Sequence, residues 1–199
     1  TAPVITLLGD NPQHVEQASS YAEAGATAAD DRDGDISADI TVTGTVNANI
    51  AGTYTLDYNV SDAAGNIATT VTRTVNVSDT TVPTIILTGS NPLTIEKGDT
   101  FTDPGATATD NIDGDISASI TTTGSVISNT TGTYFVVYNV SDTAGNIAAT
   151  LTRTVVVSDT TAPVLTLIGA SPLNHELNTA FTDPGASAID NPSEDISSS

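Results

Sequence analysis

Short runs of alternating hydrophobic and polar residues recur along the chain, with the two-residue period of a β-strand. The clearest run places four large side chains on one phase: Tyr54, Leu56, Tyr58 and Val60. Because successive side chains of a strand point to opposite faces, this pattern predicts a core strand with one buried face. A second run, over residues 71–77, follows a turn-forming Ala-Gly-Asn sequence and predicts the last strand of the same sheet.

Weaker alternating patterns predict the remaining strands of a small β-domain. They cover residues 5–7, a segment beginning at Val15, residues 26–30 and residues 40–44. No stretch keeps the 3.6-residue apolar period of a long helix. We therefore predict an all-β chain with six or seven short antiparallel strands per domain, arranged as a β-sandwich.

The whole pattern repeats with a fixed 80-residue period. Residues 1–80 overlay residues 81–160 without an insertion, more than half of the paired positions are identical, and Thr161 opens a third copy. We predict three modules at 1–80, 81–160 and 161–199, the last being the N-terminal half of a truncated unit. The end at Ser199 leaves two interpretations open: a window cut from a longer array, or a half module completed by another chain.

Composition excludes several classes of partner. The chain has 24 acidic and 4 basic residues, a net charge of −20, and no cysteine. Such a charge repels nucleic acid and anionic lipid surfaces. No apolar run approaches the roughly 18 residues that a membrane helix needs. We therefore expect no nucleic-acid binding and no direct membrane insertion, and any export signal lies outside this sequence.

Three motifs recur in the two complete copies, the first of them also in the third copy, and they resemble a known family. In the second copy they are Phe-Thr-Asp-Pro-Gly-Ala-Thr-Ala-Thr-Asp from Phe101, Tyr-Asn-Val-Ser-Asp-Thr-Ala-Gly-Asn from Tyr138, and Thr-Arg-Thr-Val from Thr152. They resemble the bacterial immunoglobulin-like tandem repeats akin to hyalin-repeat modules of large exported surface proteins. The resemblance spans the chain, although Glu23 and Ala24 replace Asp-Pro in the first copy. It implies tandem Ig-like antiparallel β-sandwiches, an extracellular or cell-surface location, and no enzymatic activity.

Acidic loops are the candidate sites for chemistry. Each follows the strand that ends at Asp30 or Asp110, and a glycine separates its last two carboxylates. Hard oxygen ligands around a sharp turn suit Ca²⁺, although the spacing is not that of an EF-hand. The candidate ligands in these loops are Asp30, Asp31, Asp33 and Asp35 in the first copy, Asp110, Asp113 and Asp115 in the second, and Asp190 and Asp195 in the third.

Linker and hairpin carboxylates extend the candidate site. In an Ig-like sandwich the acidic loop, the last hairpin loop and the preceding linker meet at one end, which adds Asp62, Asp142, Asp79 and Asp159 as candidate ligands. We expect Asp79 to join the acidic loop and hairpin of the second copy, and Asp159 to join the acidic loop of the third. The alternatives are ordinary turns whose carboxylates accept backbone hydrogen bonds, or Na⁺ or water at the same place.

The two arginines shared by the complete copies are predicted to be structural. Arg73 and Arg153 recur in both copies on the core-facing phase of the last strand, and we expect each to pair with a carboxylate. His14 and His175 occupy non-equivalent positions and are interpreted as surface residues.

These observations predict a structural spacer of an exported bacterial adhesin or cell-surface protein, with junctions rigidified by Ca²⁺. Its partners are neighbouring modules of the same chain. The alternative is a self-assembling extracellular filament in which an identical chain completes the C-terminal half module. A carbohydrate-binding module is disfavoured because aromatic residues are few. An enzyme is not expected, because the paired carboxylates lie in a short loop copied in every module and no nucleophile has a base partner.

Overall fold

The computed structural model describes residues 1–191 and 194–197, so the end at Ser199 lies outside the described residues. The described part is all-β, with a single-turn 3₁₀ helix at Ser37–Asp39 and at Ser117–Ser119. The all-β prediction is confirmed. None of the helices in this part of the chain has the length and apolar character required to cross a bilayer.

Each repeat uses the same order of strands. The first repeat contains β1 (Val4–Leu7), β2 (Gln13–Glu16), β3 (Ala26–Asp30), β4 (Gly34–Asp35), β5 (Thr41–Thr43), β6 (Gly52–Asn59) and β7 (Val71–Ser78). The second contains β8 (Thr84–Leu87), β9 (Leu93–Glu96), β10 (Ala106–Asp110), β11 (Gly114–Asp115), β12 (Thr121–Thr123), β13 (Gly132–Asn139) and β14 (Leu151–Ser158). The described strands of the third copy are β15 (Val164–Leu167), β16 (Ala186–Asp190) and β17 (Glu194–Asp195).

Two sheets form in the first repeat. One has the order β1-β3-β4 and the other the order β2-β7-β6-β5. All pairs are antiparallel except β2 with β7, which run parallel. The second repeat has the same two sheets, β8-β10-β11 and β9-β14-β13-β12. The parallel pairing matters for the site because it ends β2 beside Ser78, immediately before the linker residue Asp79.

The core lies on the phase that the alternating pattern predicts. Leu56, Tyr58 and Val60 are all at most 5% exposed, and they pack with Ile5 and Ala28 of the opposing sheet. Burying a large apolar side chain stabilises the folded state by roughly 1.5 to 3 kcal/mol. The buried face of β6 therefore contributes most of the apolar stabilisation that this strand provides. The phase prediction is confirmed for β6.

A buried arginine joins the two sheets of the first repeat. Arg73 is fully buried, and its guanidinium donates to the backbone carbonyls of Leu8, Asp10 and Gly25. Its Nε lies 2.7 Å from Glu23 Oε1, although outside the in-line geometry of a hydrogen bond. The predicted carboxylate pairing is therefore present, with the partner contributed by the segment before β3.

The second repeat builds the same feature with an aspartate. Arg153 is also fully buried, and its Nε lies 3.2 Å from Asp103 Oδ1. The hydroxyl of Tyr138 donates to Asp103 at 2.6 Å, which completes a network of three side chains whose arginine and tyrosine are buried. Asp103 and Pro104 of the second repeat thus take the positions of Glu23 and Ala24 in the first, and the arginine occupies the equivalent position in both repeats.

Contacts divide the described chain into two compact units. The first contains Thr1–Pro83 together with two loops of the second repeat, Asp110–Gly114 and Ser141–Ile147. The second contains the remaining described residues of the second repeat and of the third copy. The linker after β7 and these two loops therefore belong to one unit.

Candidate functional site

Three aspartates meet in the first unit at the start of the linker that leaves β7. Asp79, Asp110 and Asp142 each place one carboxylate oxygen within 4.8 Å of the others. Asp79 is 9% exposed and Asp142 is 7% exposed. We call this group the linker cluster, because Asp79 follows the last strand of the first repeat. Its three members are among the residues that the sequence predicted to meet.

Local hydrogen bonds position the two loop carboxylates. Asp110 ends β10, and its Oδ1 accepts hydrogen bonds from the amides of Ile112 at 2.8 Å and Asp113 at 3.0 Å. Asp142 opens the hairpin, and its two oxygens accept from the amide and the side-chain Nδ2 of Asn146 at 2.7 and 2.8 Å. These are the bonds that aspartate makes in ordinary turns, so the turn interpretation accounts for part of each carboxylate.

Asn146 also ties the linker to the hairpin. Its Nδ2 donates to the backbone carbonyl of Asp79 at 3.2 Å. The carboxylate of Asp79 accepts from the amide of Thr81 at 3.1 Å. The linker backbone and its side chain are therefore both held at the cluster by neutral donors.

No basic side chain offsets the three negative charges by an ion pair among the described residues. Burial raises the pKa of Asp79, and repulsion from Asp110 and Asp142 acts in the same direction. Hydrogen bonds from the backbone amides of Asp113 and Ile112 lower the pKa of Asp110. The acidic loop therefore favours the ionised form of Asp110, whereas the neighbouring carboxylates disfavour the ionised form of Asp79. A bound cation would relieve the repulsion between them.

One oxygen at the cluster has no donor within the described part of the chain. Asp110 Oδ2 is buried and makes no hydrogen bond there, and the same is true of Oδ2 of its counterpart Asp30. A buried carboxylate oxygen without a partner is costly, and a cation bound to it would remove that cost. The three carboxylates form an all-oxygen donor set of the kind that Ca²⁺ takes, with water available to complete six to eight ligands. The residues present therefore fit the ion.

A second cluster lies at the equivalent loops of the first repeat. Asp30, Asp33 and Asp62 also place one carboxylate oxygen each within 4.8 Å of one another. Asp33 is exposed and its Oδ2 accepts from the amide of Ala63 at 2.8 Å. The side chain of Asn66 lowers the pKa of Asp62. We call this group the loop cluster; unlike the linker cluster, it contains no residue from a linker.

The other predicted ligands of these two loops lie elsewhere. Asp31 accepts a hydrogen bond from the hydroxyl of Thr1. Asp113 Oδ2 accepts from the amide of Thr143 at 2.6 Å, and Asp113 is not a member of the linker cluster. Asp35 and Asp115 each accept from the hydroxyl of a following serine, which lowers the pKa of both. Their bonds are those of ordinary turns.

The carboxylates predicted for the third copy do not form a cluster among the described residues. Asp159, the counterpart of Asp79, lies 3.2 Å from the ammonium of Lys97. Asp190 accepts from the amide of Asn191 at 2.9 Å, and Asp195 bonds the amide and hydroxyl of Ser197. The expected meeting of Asp159 with Asp190 and Asp195 is therefore replaced by a lysine contact.

Sequence reasoning missed a glutamate that holds the linker in both units. Glu16 accepts from the amide of Thr80 at 3.0 Å and from the hydroxyl of Thr81 at 2.7 Å. Glu96 accepts from the amide and hydroxyl of Thr160 at 2.7 and 2.6 Å. These bonds lower the pKa of each glutamate to about 2. The sequence signal for this contact was that the glutamate and the Thr-Thr pair occur at matching positions of both copies.

Comparisons with known proteins identified a curated relative and similar solved structures. The chain is 37% identical over 109 residues to an uncharacterised 81.3 kDa protein of Acholeplasma phage L2, a match that covers 51% of this chain and 14% of that protein. The chain therefore spans about a seventh of the length of that relative. A lipoprotein from Bacteroides thetaiotaomicron is 40% identical with a TM-score of 0.36, over 40% of this chain and 39% of that chain.

A broader structural likeness involves Clostridium perfringens ZmpB, in a structure of its M60 catalytic domain with the CBM51-1 and CBM51-2 domains. It covers 93% of this chain and 33% of that chain, with 15% identity and a TM-score of 0.47. A family model described as bacterial surface protein, Ig-like domain, matches residues 5–77 and again residues 85–157. The two matches follow the two complete repeats and confirm the Ig-like period of about 80 residues. The chain belongs to the family of bacterial surface protein Ig-like domains.

Proposed function

We propose that this chain is part of a structural spacer in an exported bacterial surface protein, and that Ca²⁺ bound by the linker cluster fixes the linker after each repeat that carries such a cluster. The family membership supports a surface-protein repeat. The spacer role follows from the copied module, because one catalytic site does not require identical copies, whereas a repeated unit extends a chain by a constant step.

The single observation that carries the calcium assignment is the linker cluster itself. Three carboxylates from a linker and two loops lie within 4.8 Å of one another, with two of the side chains almost fully buried. Ionised carboxylates at this separation repel strongly unless a cation neutralises them. Because Asp79 is the only member from the linker, a shared ion would bind the linker to the two loops.

Thermal unfolding tests the assignment. We expect a few millimolar Ca²⁺ to raise the unfolding midpoint of the first unit relative to chelator, by the mass-action stabilisation of about 2.7 kcal/mol when calcium is at 100 times its dissociation constant. Asp110→Asn removes the unpartnered charge but keeps the Oδ1 acceptor for both loop amides. This variant should lose the calcium-dependent rise.

Asp39→Asn is the matched control, because Asp39 is exposed, lies outside both clusters and has Ser119 as its counterpart. It should keep the full calcium-dependent rise. An equal rise in the parent chain and both variants would show general charge screening and contradict the proposal, as would no rise in the parent chain.

A further inference from the structure

Position 17 of the first repeat and position 97 of the second hold different residues in the same backbone setting. The amide of Gln17 donates to the carbonyl of Ser78 at 2.9 Å, and the amide of Lys97 donates to the carbonyl of Ser158 at 2.7 Å. Both residues directly follow the strand that runs parallel to the last strand of their repeat. Their side chains therefore start from equivalent points beside the linker.

In the second unit the side chain at this position supplies a positive charge to the linker. The ammonium of Lys97 lies 3.2 Å from Asp159 Oδ2 and 3.3 Å from Glu194 Oε2, and the lysine side chain is 19% exposed. The backbone carbonyl of Lys97 also accepts a hydrogen bond from Asn191 Nδ2 at 2.6 Å. One lysine thus binds the linker carboxylate to an acidic residue of the third copy.

In the first unit the same position is neutral. Gln17 lines a small cavity together with Asp79 and Asp113, and its side-chain Nε2 donates to the carbonyl of Asn49 at 3.2 Å. The linker carboxylate of this unit is the one that lies within 4.8 Å of two further aspartates. The neutral glutamine of the first unit therefore lies beside a linker carboxylate that belongs to a three-carboxylate cluster, and one oxygen of that cluster, Asp110 Oδ2, has no hydrogen-bond donor among the described residues.

We propose that the residue at position 17 or 97 determines which cation neutralises the linker: a divalent metal ion where it is glutamine, and the lysine ammonium where it is lysine. This inference rests on the proposed function, because it takes the linker cluster to be a calcium site. An ammonium beside the linker carboxylate satisfies its charge and repels a second cation, so the two solutions exclude each other. The two linkers of this chain then differ in their dependence on calcium.

Calcium titration calorimetry of the full chain tests the metal half of the inference. Gln17→Lys should weaken binding at the linker cluster by at least about tenfold, the factor that corresponds to each 1.4 kcal/mol of lost interaction. Thr55→Lys is the control for net charge, because Thr55 is exposed in the middle of β6, where it pairs with Thr74 of β7. It should bind calcium within twofold of the parent chain.

Amide hydrogen exchange in chelator tests the lysine half without any metal. Lys97→Gln should accelerate exchange at Thr160 and Thr161, whose amides hydrogen-bond to Glu96 beside the lysine. Gln17→Lys should slow exchange at Thr80 and Thr81 by supplying the missing charge. Unchanged exchange in both variants would overturn the lysine half.

The outcomes separate this inference from the proposed function. Absence of calcium binding in the parent chain overturns the proposed function and the metal half together. Calcium binding in the parent chain that Gln17→Lys leaves within twofold overturns only the inference made here. Tight binding in the parent chain, weak binding in Gln17→Lys and accelerated exchange in Lys97→Gln support both.

Discussion

At the scale of single residues, the buried arginines are the least replaceable charges in the molecule. Each donates to backbone carbonyls of the segments that flank the strands of the opposing sheet, and each lies beside a carboxylate that is itself about a quarter exposed. Removing one partner of such a pair leaves a poorly compensated charge and several unsatisfied carbonyls.

Arg153→Met should therefore lower the free energy of unfolding by about 3 kcal/mol or more, because Asp103 loses its ion-pair partner and the carbonyls of Thr88 and Gly105 each lose a donor. Denaturant unfolding followed by circular dichroism measures the loss. Arg32→Met is the control, since Arg32 is exposed and should cost less than about 0.5 kcal/mol. A loss as small as that of the control would contradict the structural role of Arg153.

Asp79→Asn should have opposite effects with and without calcium. In chelator the variant should unfold at a higher temperature than the parent chain, because one of three mutually repelling carboxylates is gone. In calcium it should unfold at a lower temperature, because a ligand is lost. Calorimetric scans in both buffers measure the crossover, and a variant that is less stable in both would point to a purely structural role for Asp79.

The residue pattern alone predicted the paired arginines and the acidic loops that carry the clusters. It did not predict which aspartates belong to each cluster. Asp115 was grouped with Asp110 by spacing, yet it accepts the hydroxyl of Ser117 at 2.6 Å instead. Lys97 was overlooked because it has no basic counterpart in the first copy, where Gln17 stands. Pairings between residues far apart along the chain depend on loop geometry, which a pattern of residue types does not specify.

At the scale of elements, the turn after the second strand of each complete repeat, and the equivalent turn of the third copy, have a left-handed backbone. The residue there is Ala18 with φ of 60° in the first repeat, Gly98 with φ of 90° in the second, and Asn178 with φ of 60° in the third. Glycine and asparagine tolerate this region, whereas alanine is strained in it.

Ala18→Gly should accordingly raise the free energy of unfolding of the first unit by about 1 kcal/mol, the left-handed penalty less the extra entropy of the unfolded glycine. Gly98→Ala provides the reverse experiment in the second unit and should cost a similar amount. Denaturant midpoints at constant m-value measure both changes. Stabilisation by Gly98→Ala would show that the turn does not need a left-handed residue.

The glutamate at the end of the second strand gives the linkers a pH dependence. Hydrogen bonds from Thr160 lower the pKa of Glu96 to about 2. A carboxyl group with a lower pKa in the folded state contributes stability above its unfolded pKa of about 4.3, and that contribution disappears as pH falls toward 2.

We therefore expect Glu96→Gln to flatten the loss of stability between about pH 4.5 and pH 2, and to lower stability at neutral pH. Thermal midpoints across this range measure the slope. Glu176→Gln serves as the comparison, because Glu176 is exposed and its side chain makes no hydrogen bond within the described part of the chain. Parallel pH profiles for Glu96→Gln and the parent chain would contradict the role of Glu96 at the linker.

The elements themselves were largely predictable. Alternation identified β6 and β7 because large side chains occupy one phase without interruption. The parallel pairing of β2 with β7 was not predictable, because a four-residue strand carries too few positions to specify its partner. The two-residue β4 was not predicted for the same reason.

At the scale of the whole molecule, the repeat period was the most informative property of the sequence. It follows directly from residue identity, and the family matches over residues 5–77 and 85–157 bear it out. The filament alternative stays a prediction. Sedimentation at several concentrations tests it: a constant mass of one chain argues against self-assembly, and end-to-end oligomers support it.

The proposed calcium site should also narrow the range of conformations that the chain adopts, because a shared ion would hold the linker residue Asp79 against two loops. Small-angle scattering in calcium and in chelator measures this effect. We expect the scattering curves of the parent chain in the two buffers to differ, and those of Asp110→Asn to coincide. A calcium-dependent change of equal size in Asp110→Asn would assign it to another site.

The most direct test of calcium binding at the linker is a crystal structure grown in calcium, with an anomalous difference map calculated at the linker cluster. We predict a peak bonded to oxygens of Asp79, Asp110 and Asp142 at the roughly 2.3 to 2.6 Å that Ca²⁺ requires. Density without anomalous signal, at the roughly 2.7 to 3.2 Å of a hydrogen-bonded water, would contradict it and return the three aspartates to ordinary turns.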